Sequence, residues 1–318
     1  MEKKYLDRIL FGDCIKILPK LPRNSVDLIV TSPPYAQKRK KSYDGVAESQ
    51  YVEWFLPIAK QLKRVLKDDG SFVLNIKEPA VDSERSTFVI ELILEMKKQG
   101  WLWTEEYIWH KRNSFPGKWP NRFRDAWERC LHFTKNKKFK MNQDDVMVPM
   151  GEWAQTRFNS LSDEDKTRHN SASKSGFGRK VENWIDRKKA YPTNVLEFAT
   201  VCYNKGHSAA FPEELPEWFI KLFSDPGDLV LDPFIGSGTT AIVANKLQRH
   251  YLGIEKQKKY YDLTKMYLKI ENISSKKMKK QILDIIKEAS RTENWKKSIL
   301  EYKKLMTRKN STLEHFNK

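Results

Sequence analysis

The sequence is poor in the residues that build disulfide frameworks and metal centres. Its 318 residues include three cysteines, Cys14, Cys130 and Cys202, which lie far apart, form no CxxC pair and have few histidines near them. This spacing argues against a disulfide scaffold and a zinc site, and it fits a reducing cytoplasm. We therefore predict no metal site.

Long apolar runs and a secretory leader are also missing from the sequence. No stretch is long and apolar enough to cross a bilayer, and the first residues do not have the pattern of a signal peptide. We therefore predict a cytosolic protein that does not insert into a membrane.

Acidic residues are outnumbered by basic ones. The chain has 59 Lys and Arg against 41 Asp and Glu, a net charge of +18, and 12% aromatic residues. Such an excess suits a polyanionic partner, nucleic acid first and an anionic membrane surface second. Charge alone leaves open a basic protein with no such partner. The length allows one large or two medium domains with a sizeable core.

Apolar patterns along the chain alternate between strand and helix. Strands are predicted within 5–12, 26–30, 71–76, 104–109, 130–134, 228–231 and 251–254, and helices within 51–66, 86–98, 213–223 and 241–247. Asp68, Asp69 and Gly70 are predicted to end the first helix. This alternation is typical of a mostly parallel, doubly wound α/β sheet. Residues 135–190 are polar and basic without a long period, which predicts loop or an irregular inserted subdomain.

The first candidate site follows the buried strand at 26–30. After Thr31 come Ser32, Pro33, Pro34 and Tyr35. The prolines fix φ and remove N–H donors, so the corner is rigid and presents hydroxyl and carbonyl acceptors beside an aromatic face. Ligands bind at the carboxyl ends of strands in open α/β sheets. The corner therefore suits a planar amino group on an aromatic ring, although a turn without function is the alternative.

The second candidate site is a glycine loop between a strand and a helix. It consists of Asp232, Pro233, Phe234, Ile235, Gly236, Ser237, Gly238, Thr239 and Thr240. The two glycines permit a sharp turn and leave free N–H groups at a helix N-terminus for a negative group. No third glycine and no lysine follow, so the loop is neither a full GxGxxG fingerprint nor a Walker A loop.

An acid, Glu255, ends the next strand and is placed to accept a ribose hydroxyl pair. The pattern predicts a ligand with a ribose and a small anionic end, without strong signs of a pyrophosphate, and S-adenosylmethionine fits this description. Its carboxylate would meet the glycine loop and its ribose would meet Glu255.

Other segments are weaker candidates. Asp13 follows a strand and either accepts hydrogen bonds from a ligand or caps a helix. Phe211 lies between His207 and Pro212 before a helix, and it either covers the cofactor or forms a helix-start contact. Two basic runs are candidate phosphate contacts, although a solvated loop is the alternative for each. Their residues are Lys38, Arg39, Lys40 and Lys41 in the first run, and Lys174, Arg179 and Lys180 in the second.

Together the two motifs resemble those of the amino-methylating DNA methyltransferases, whose signatures are (D/N/S)-P-P-(Y/F) and DPFxGSGTT. The catalytic motif comes first and the cofactor loop last, as in the circularly permuted beta class. The resemblance covers about residues 5–270 except the variable segment. It implies a seven-stranded Rossmann-like methyltransferase sheet that binds S-adenosylmethionine and acts on double-stranded DNA, within a restriction-modification system.

The resemblance also implies roles for individual residues. Ser32, Pro33, Pro34 and Tyr35 would hold a flipped base, while Asp13 would bind the adenine of the cofactor. The loop from Asp232 to Thr239, together with Thr31, would surround the methionine part of the cofactor. Glu255 would bind its ribose. The stretch from His207 to Pro212 would close the pocket; Ser208 stands where the family motif has proline.

The mechanism that the resemblance implies is direct methyl transfer to an exocyclic amine of an extruded base. None of the three cysteines follows a proline, so the cytosine-C5 mechanism is not indicated. Serine in the tetrapeptide usually accompanies cytosine N4, whereas aspartate or asparagine usually accompanies adenine N6. We therefore predict cytosine N4, with adenine N6 as the alternative. Methylation of RNA or a protein amide, and a non-catalytic nucleic-acid-binding subunit, are further alternatives.

The resemblance divides the chain into four predicted segments. They are a catalytic half at 1–134, a target recognition region at 135–190, a cofactor-binding half at 191–272 and a basic helical extension at 273–318. The extension has two amphipathic patterns, which predict helices docked on the catalytic domain with a basic face toward DNA. A companion restriction endonuclease and a homodimer are further possible partners.

Overall fold

The computed structural model describes residues 3–36, 45–81, 83–114, 117, 121–151, 156, 159–160, 162, 188–201, 211–271, 273, 275–292, 297–302 and 304. Within these residues, no helix combines the length and apolar character needed to cross a membrane.

The described residues form strands and helices that alternate along most of the chain. In order they are β1 (Arg8–Phe11), α1 (Cys14–Ile17), β2 (Val26–Thr31), α2 (Tyr51–Val65), β3 (Leu66–Ile76), β4 (Ala80–Val81), β5 (Glu84–Arg85), α3 (Phe88–Lys98), β6 (Leu102–Lys111), β7 (Trp127–Thr134), β8 (Val148–Pro149), β9 (Lys189–Ala190), β10 (Val195–Phe198), α4 (Glu214–Phe223), β11 (Leu229–Asp232), α5 (Thr239–Lys246), β12 (His250–Glu255), α6 (Lys258–Glu271) and α7 (Lys276–Thr292).

The main sheet has the strand order β1-β12-β11-β2-β3-β7-β6-β10. Its neighbours are parallel except around β7, which is antiparallel to both β3 and β6. The mostly parallel α/β sheet predicted from the sequence is therefore confirmed. The chain runs outward from β11 to β12 on one side and from β2 to β3 on the other. The strand order thus reverses between β11 and β2.

Among the described residues the sheet has eight strands, not seven as predicted. The additional strand is β10, which pairs with Ile108 to Lys111 of β6 at the edge of the sheet. Three of its four residues are apolar although only Leu196 is buried, so apolar and polar residues do not alternate along it. A four-residue edge strand of this kind is not recognisable from hydrophobic pattern alone.

The start of β3 also differs from the prediction. Helix α2 ends at Val65 and β3 begins at Leu66, so Asp68, Asp69 and Gly70 lie inside the strand. The pairing with β2 is irregular at this point. A Cβ atom on Gly70 would lie 2.7 Å from the carbonyl oxygen of Asp27, so this close approach requires glycine.

Different helices cover the two faces of the sheet, as adjacent residues of β7 show. The ring of Phe133 lies 6.2 Å from Trp101 and 6.0 Å from Phe72, in the core that α2 and α3 complete. Its neighbour His132 points the other way and stacks at 4.4 Å on Phe223 of α4. Burial lowers the pKa of His132 to about 3, so this side chain is a neutral core residue.

Near the end of the chain, helix α7 packs against helix α6. Ile282 and Ile286 of α7 pack with Tyr260, Leu263 and Ile270 of α6 in one apolar cluster. Residues 297–302 are helical as well, and Tyr302 joins the cluster. The exposed side of α7 carries Lys276, Lys277 and Lys280. The apolar face of α7 is therefore packed and its basic face is exposed, as expected of an amphipathic helix docked on a domain.

The chain separates into two compact units, one made of Met1–Met141 and Asn194–Lys318 and the other of Asn142–Thr193. In the smaller unit, β8 and β9 pair as antiparallel strands, and the Tyr191 hydroxyl donates a hydrogen bond to Asp144. Lys140 belongs to the larger unit, where its ammonium group lies 2.8 Å from Asp225 and 2.5 Å from Asp228. The four-segment division predicted from the sequence stays a prediction.

Candidate active site

The two sequence motifs meet where the strand order of the sheet reverses. β2 and β11 are parallel neighbours, and Thr31 and Asp232 are their last residues. The Thr31 hydroxyl donates a hydrogen bond to Asp232, with 2.6 Å between Oγ1 and Oδ1. Open α/β sheets bind ligands in the crevice outside the carboxyl ends of strands at this kind of switch point. Both motifs therefore border one candidate site.

Asp232 is held by neutral donors on both of its oxygens. Besides Thr31, the Thr240 hydroxyl donates to Oδ2 at 2.7 Å and the Phe234 N–H donates to Oδ1 at 3.0 Å. Burial raises the pKa of Asp232 to about 6, although these three hydrogen bonds favour its ionised form. The carboxylate thus fixes the glycine loop to the end of β2 and places a negative charge in the crevice when ionised.

The glycine loop turns through two residues with positive φ. Gly236 has φ of 53° and Gly238 has φ of 93°, a conformation that side chains oppose. A Cβ atom on Gly238 would also lie 2.6 Å from Thr264 Cγ2. The Thr264 hydroxyl donates to the Gly236 carbonyl at 2.7 Å. Thr264 of α6 is thus a second support of the loop, and no sequence motif indicated it.

The N–H groups of these two glycines are hydrogen-bonded inside the protein. The Gly236 N–H donates to Glu255 Oε2 at 3.0 Å and the Gly238 N–H to the Ile235 carbonyl at 2.9 Å. A helix leaves its first N–H groups without an intrahelical acceptor, so the start of α5, at Thr239, is the place for a negative group. Ser237 and Thr239 are partly exposed there, while Pro233 is buried.

Glu255 lies at the end of β12, one strand away from Asp232. Its Oε1 accepts a hydrogen bond from the Gln257 N–H at 2.7 Å, and Oε2 accepts the bond from Gly236. Burial raises the pKa of Glu255 to about 7. Each carboxylate oxygen has a second lone pair, so Glu255 retains capacity to accept hydrogen bonds from a ligand diol.

Asp13 lies beside Glu255 because β1 pairs with β12. The Gly12 N–H donates to the Glu255 carbonyl at 2.9 Å. Asp13 itself caps α1, since its Oδ1 accepts a hydrogen bond from the Ile15 N–H at 3.0 Å. The cap that the sequence left as an alternative is therefore present. Binding of the cofactor adenine by Asp13 stays a prediction.

The Pro-Pro-Tyr corner directly follows β2 and is anchored from two sides. Thr31 and Pro33 are buried, whereas Ser32, Pro34 and Tyr35 keep part of their surface exposed. The hydroxyl of Tyr51, a fully buried residue of α2, donates to the Pro34 carbonyl at 3.0 Å. This bond ties the corner to the helical layer, and no motif in the sequence indicated Tyr51.

The second anchor of the corner is an ion pair from β6 and β7. The Tyr35 hydroxyl donates to Glu128 Oε2 at 2.6 Å, and the Lys111 ammonium group lies 2.5 Å from Oε1. Burial is the largest cause that raises the pKa of Tyr35 well above its usual value, followed by the Glu128 charge. Sequence reasoning missed both residues because β7 begins at Trp127, three residues before the predicted strand, and only the pairing of the strands brings them to Tyr35.

The structure also describes three aromatic or proline candidates. Phe234 packs with its ring 5.8 Å from Trp54 and 6.5 Å from Phe55 of α2. Pro212 is buried before α4, and Phe211 is half-buried. The remaining predicted residues lie outside the described part of the chain: Lys38, Arg39, Lys40, Lys41, Lys174, Arg179, Lys180 and His207.

The residues present fit S-adenosylmethionine. Glu255 offers acceptor capacity for a ribose diol, and the first turn of α5 offers N–H groups for a carboxylate. Asp232, buried and held by neutral donors rather than by a Lys or Arg, offers a negative charge for a sulfonium. The ligand has a diol, an anion and a cation, and each has a counterpart of suitable chemistry at this site.

Comparisons with known proteins identify the family. The family model N6_N4_Mtase, described as DNA methylase, matches residues 26–266. The type II methyltransferase M.PvuII of Proteus hauseri is 30% identical over 288 residues, which cover 84% of this chain and 85% of the relative. The DNA adenine methyltransferase YhdJ of Escherichia coli K12 is 29% identical over 265 residues, which cover 79% of each chain.

Solved structures agree with the sequence relatives. PvuII DNA methyltransferase, titled cytosine-N4-specific, superimposes with a TM-score of 0.64 at 27% identity and covers 89% of this chain and 91% of its own. The Thermus thermophilus protein TTHA0409, solved in complex with S-adenosyl-L-methionine, has a TM-score of 0.55 at 25% identity and covers 84% and 95% of the two chains. With its two motifs joined at one sheet edge, this chain belongs to the N6_N4_Mtase family of DNA methylases, which use S-adenosylmethionine as methyl donor.

Proposed function

We propose that this DNA methyltransferase transfers the methyl group of S-adenosylmethionine to the exocyclic N4 amine of a cytosine flipped out of double-stranded DNA. The observation that supports it best is the Thr31–Asp232 hydrogen bond of 2.6 Å. It joins the end of the strand that presents Ser32 to the first residue of the glycine loop. An amine held by one motif and a methyl donor held by the other would therefore lie side by side.

The chain's own residues have distinct tasks in this proposal. The ring of Tyr35, which is partly exposed, stacks on the base, while the Ser32 hydroxyl and the adjoining carbonyls accept the hydrogens of the amine. Accepting those hydrogens turns the nitrogen lone pair toward the methyl group, which is catalysis by positioning. Glu255 holds the ribose of the cofactor, and the start of α5 holds its carboxylate. Asp13 binds its adenine. Phe211 and Pro212, with His207, close the pocket.

S-adenosylmethionine supplies an electrophilic methyl group on a positively charged sulfur. Ser32 and the carbonyls of the corner would hold the amine nitrogen toward that methyl group, so that an N–C bond would form as the C–S bond breaks and its electron pair stays on sulfur. The nitrogen then releases one proton. No covalent bond to the protein is needed, and the tightly anchored corner reduces the reorganisation that the step requires.

Cytosine N4 is favoured over adenine N6 because serine occupies position 32 and because the PvuII enzyme, similar along most of both chains, is titled cytosine-N4-specific. Adenine N6 is the second candidate, since YhdJ is titled a DNA adenine methyltransferase at nearly the same identity. Both amines are conjugated with an aromatic ring and are inaccessible within the duplex, so base extrusion serves either one.

Recognition of DNA is assigned to the basic parts of the chain. We assign residues 135–190 to target recognition, and the runs around Lys38 to Lys41 and Lys174 to Lys180 to phosphate contact. The catalytic and cofactor-binding halves are 1–134 and 191–272, and the basic helices of 273–318 contact flanking DNA. The relatives of this chain include type II methyltransferases, which suggests a companion endonuclease and action in a bacterial or archaeal cytoplasm. A homodimer stays a prediction.

The test is transfer of a labelled methyl group to unmethylated duplex DNA of diverse sequence, followed by nucleoside mass spectrometry. We expect N4-methylcytosine. N6-methyladenine would keep the methyltransferase and overturn the choice of base, and the absence of any labelled DNA despite cofactor binding would contradict the proposal.

Two variants make the assay specific to the site. Ser32→Ala removes the proposed acceptor and is expected to reduce the transfer rate by about 100-fold. Ser25→Ala is the matched control, because Ser25 precedes the same strand and its hydroxyl donates to the Pro22 carbonyl, at 2.8 Å, away from the corner. It is expected to keep the wild-type rate.

A further inference from the structure

The hydroxyl of Tyr35 is engaged in a way that base stacking does not require. Stacking needs only the face of an aromatic ring. Here the hydroxyl donates at 2.6 Å to Glu128, a side chain that is only 7% exposed. The other oxygen of Glu128 is paired with Lys111. A buried carboxylate is unfavourable unless it is paired, so an ion pair inside the sheet edge is maintained around this one hydroxyl.

The pair sits on rigid elements. Lys111 ends β6 and Glu128 is the second residue of β7, and these strands are antiparallel neighbours. The Lys111 N–H donates to the Ala126 carbonyl at 2.7 Å, which fixes its backbone beside Glu128. The position of the Tyr35 hydroxyl is therefore set by two strands of the sheet and not by the loop that carries it.

We propose that Glu128, oriented by Lys111, is a positioning residue for methyl transfer, which acts only through the Tyr35 hydroxyl. The inference rests on the proposed function and adds two effects to it. The hydrogen bond fixes the plane of the Tyr35 ring, and therefore the plane of the stacked base. It also increases the electron density of the ring, because the phenol donates to a negatively charged acceptor.

The second effect matters because of how charge moves in the reaction. The lone pair of the amine forms the N–C bond, the C–S electron pair stays on sulfur as a neutral thioether, and the methylated base is a cation until it releases one proton to water. Positive charge thus moves from the sulfonium onto the base that lies against Tyr35. The face of an aromatic ring attracts a cation, so an electron-rich ring stabilises the transition state more than the neutral ground state.

The test compares Glu128→Gln, Tyr35→Phe and the double variant in single-turnover methylation, together with dissociation constants for DNA and S-adenosylmethionine. Glu128→Gln keeps an acceptor for the hydroxyl but removes the charge, and Tyr35→Phe keeps the stacking face. We expect each single variant to reduce the rate about ten-fold with dissociation constants within about two-fold. The double variant is expected to be no slower than Tyr35→Phe.

The matched control is Asp27→Asn. Asp27 is a buried carboxylate, 8% exposed, that is paired with Lys67 at 2.6 Å near the opposite end of β2. Its neutralisation is expected to lower the melting temperature and leave the single-turnover rate unchanged. Should Glu128→Gln fail to fold, Tyr35→Phe tests the same bond, because it removes a single hydroxyl group.

Two results would overturn the inference. One is a wild-type rate for Tyr35→Phe. The other is a loss of rate by Glu128→Gln that is as large in the Tyr35→Phe background as in the wild-type chain, since Glu128 would then act independently of the hydroxyl. A wild-type protein that methylates no DNA refutes the proposed function itself, which distinguishes the two failures.

Discussion

Replacement of Thr31 by valine is the most direct test of the link between the two motifs. Thr31 is fully buried, and its hydroxyl donates at 2.6 Å to the buried carboxylate of Asp232. Valine has nearly the same shape but no hydroxyl, so the change removes one hydrogen bond and leaves the packing intact. Asp232 Oδ1 then keeps the Phe234 N–H as its donor.

The size of the effect follows from the charge and burial of Asp232. A hydrogen bond to a buried charged group contributes about 1.5–3 kcal/mol to the free energy of unfolding. At roughly 2.1 cal/mol/K of unfolding entropy per residue, a chain of 318 residues has about 0.7 kcal/mol/K. The melting temperature is therefore expected to fall by about 2–4 °C. Loss of a donor also raises the pKa of Asp232 above its value of about 6, so less of its charge is available to the sulfonium.

The assay measures the melting temperature and the dissociation constant of S-adenosylmethionine by calorimetry. Thr134→Val is the control, because Thr134 is equally buried but its hydroxyl bonds neutral groups, Asn136 and Thr104. We expect Thr31→Val to weaken cofactor binding roughly ten-fold at about pH 7 and Thr134→Val to leave it unchanged. If Thr31→Val keeps wild-type cofactor affinity, the link does not position the cofactor loop and the reasoning is refuted.

Three further predictions concern the cofactor side of the candidate site. Burial raises the pKa of Glu255 to about 7, so the affinity for S-adenosylmethionine should fall about ten-fold per pH unit below about pH 7. Calorimetry of Glu255→Gln should show a much weaker dependence of this affinity on pH. The raised pKa means that the folded, ligand-free protein binds the Glu255 proton more tightly than the unfolded chain. Its free energy of unfolding should therefore decrease from about pH 4.5 to about pH 7, and urea titrations of wild type and Glu255→Gln should diverge over that window. Gly238→Ala should lower both the melting temperature and the affinity for the cofactor, since the added Cβ would lie 2.6 Å from Thr264. Gly227→Ala is the control: Gly227 also has positive φ, but its added Cβ would have no atom within 4 Å, so this change should affect stability alone.

Much of the fold was predictable because its signals are local. The buried strand at Val26 and the strand that ends at Asp232 each have a run of apolar residues, and their positions are confirmed to within a residue or two. The motif residues adjoin these strands, so the parallel pairing of β2 and β11 brings them together without any further information. The two predicted strands therefore also indicated where the candidate site lies in the sheet.

The residues that were missed have no local signal. Glu128 and Tyr51 reach the corner from 93 and 17 positions away along the chain, and each looks like an ordinary strand or helix residue. The eighth strand, β10, owes its conformation to pairing with β6 rather than to its own pattern. The hydrogen bond of the Gly236 N–H has no local signal either, since its acceptor is Glu255 from another strand. Tertiary contacts, not propensity, decide such positions.

The carboxylates at the site illustrate how stability is exchanged for binding. Asp232 and Glu255 are held by hydroxyl and backbone N–H donors, and burial raises the pKa of both. Asp27, also buried but remote from the corner, is paired with Lys67 instead. Within the described part of the chain, the bonds that hold Asp232 and Glu255 come from hydroxyl and backbone N–H groups, so their ionised forms are unfavourable in the ligand-free fold. If Asp232 and Glu255 bind the cofactor as proposed, a positively charged ligand with a diol stabilises their ionised forms, and we expect the site to prefer a sulfonium nucleoside to its thioether product.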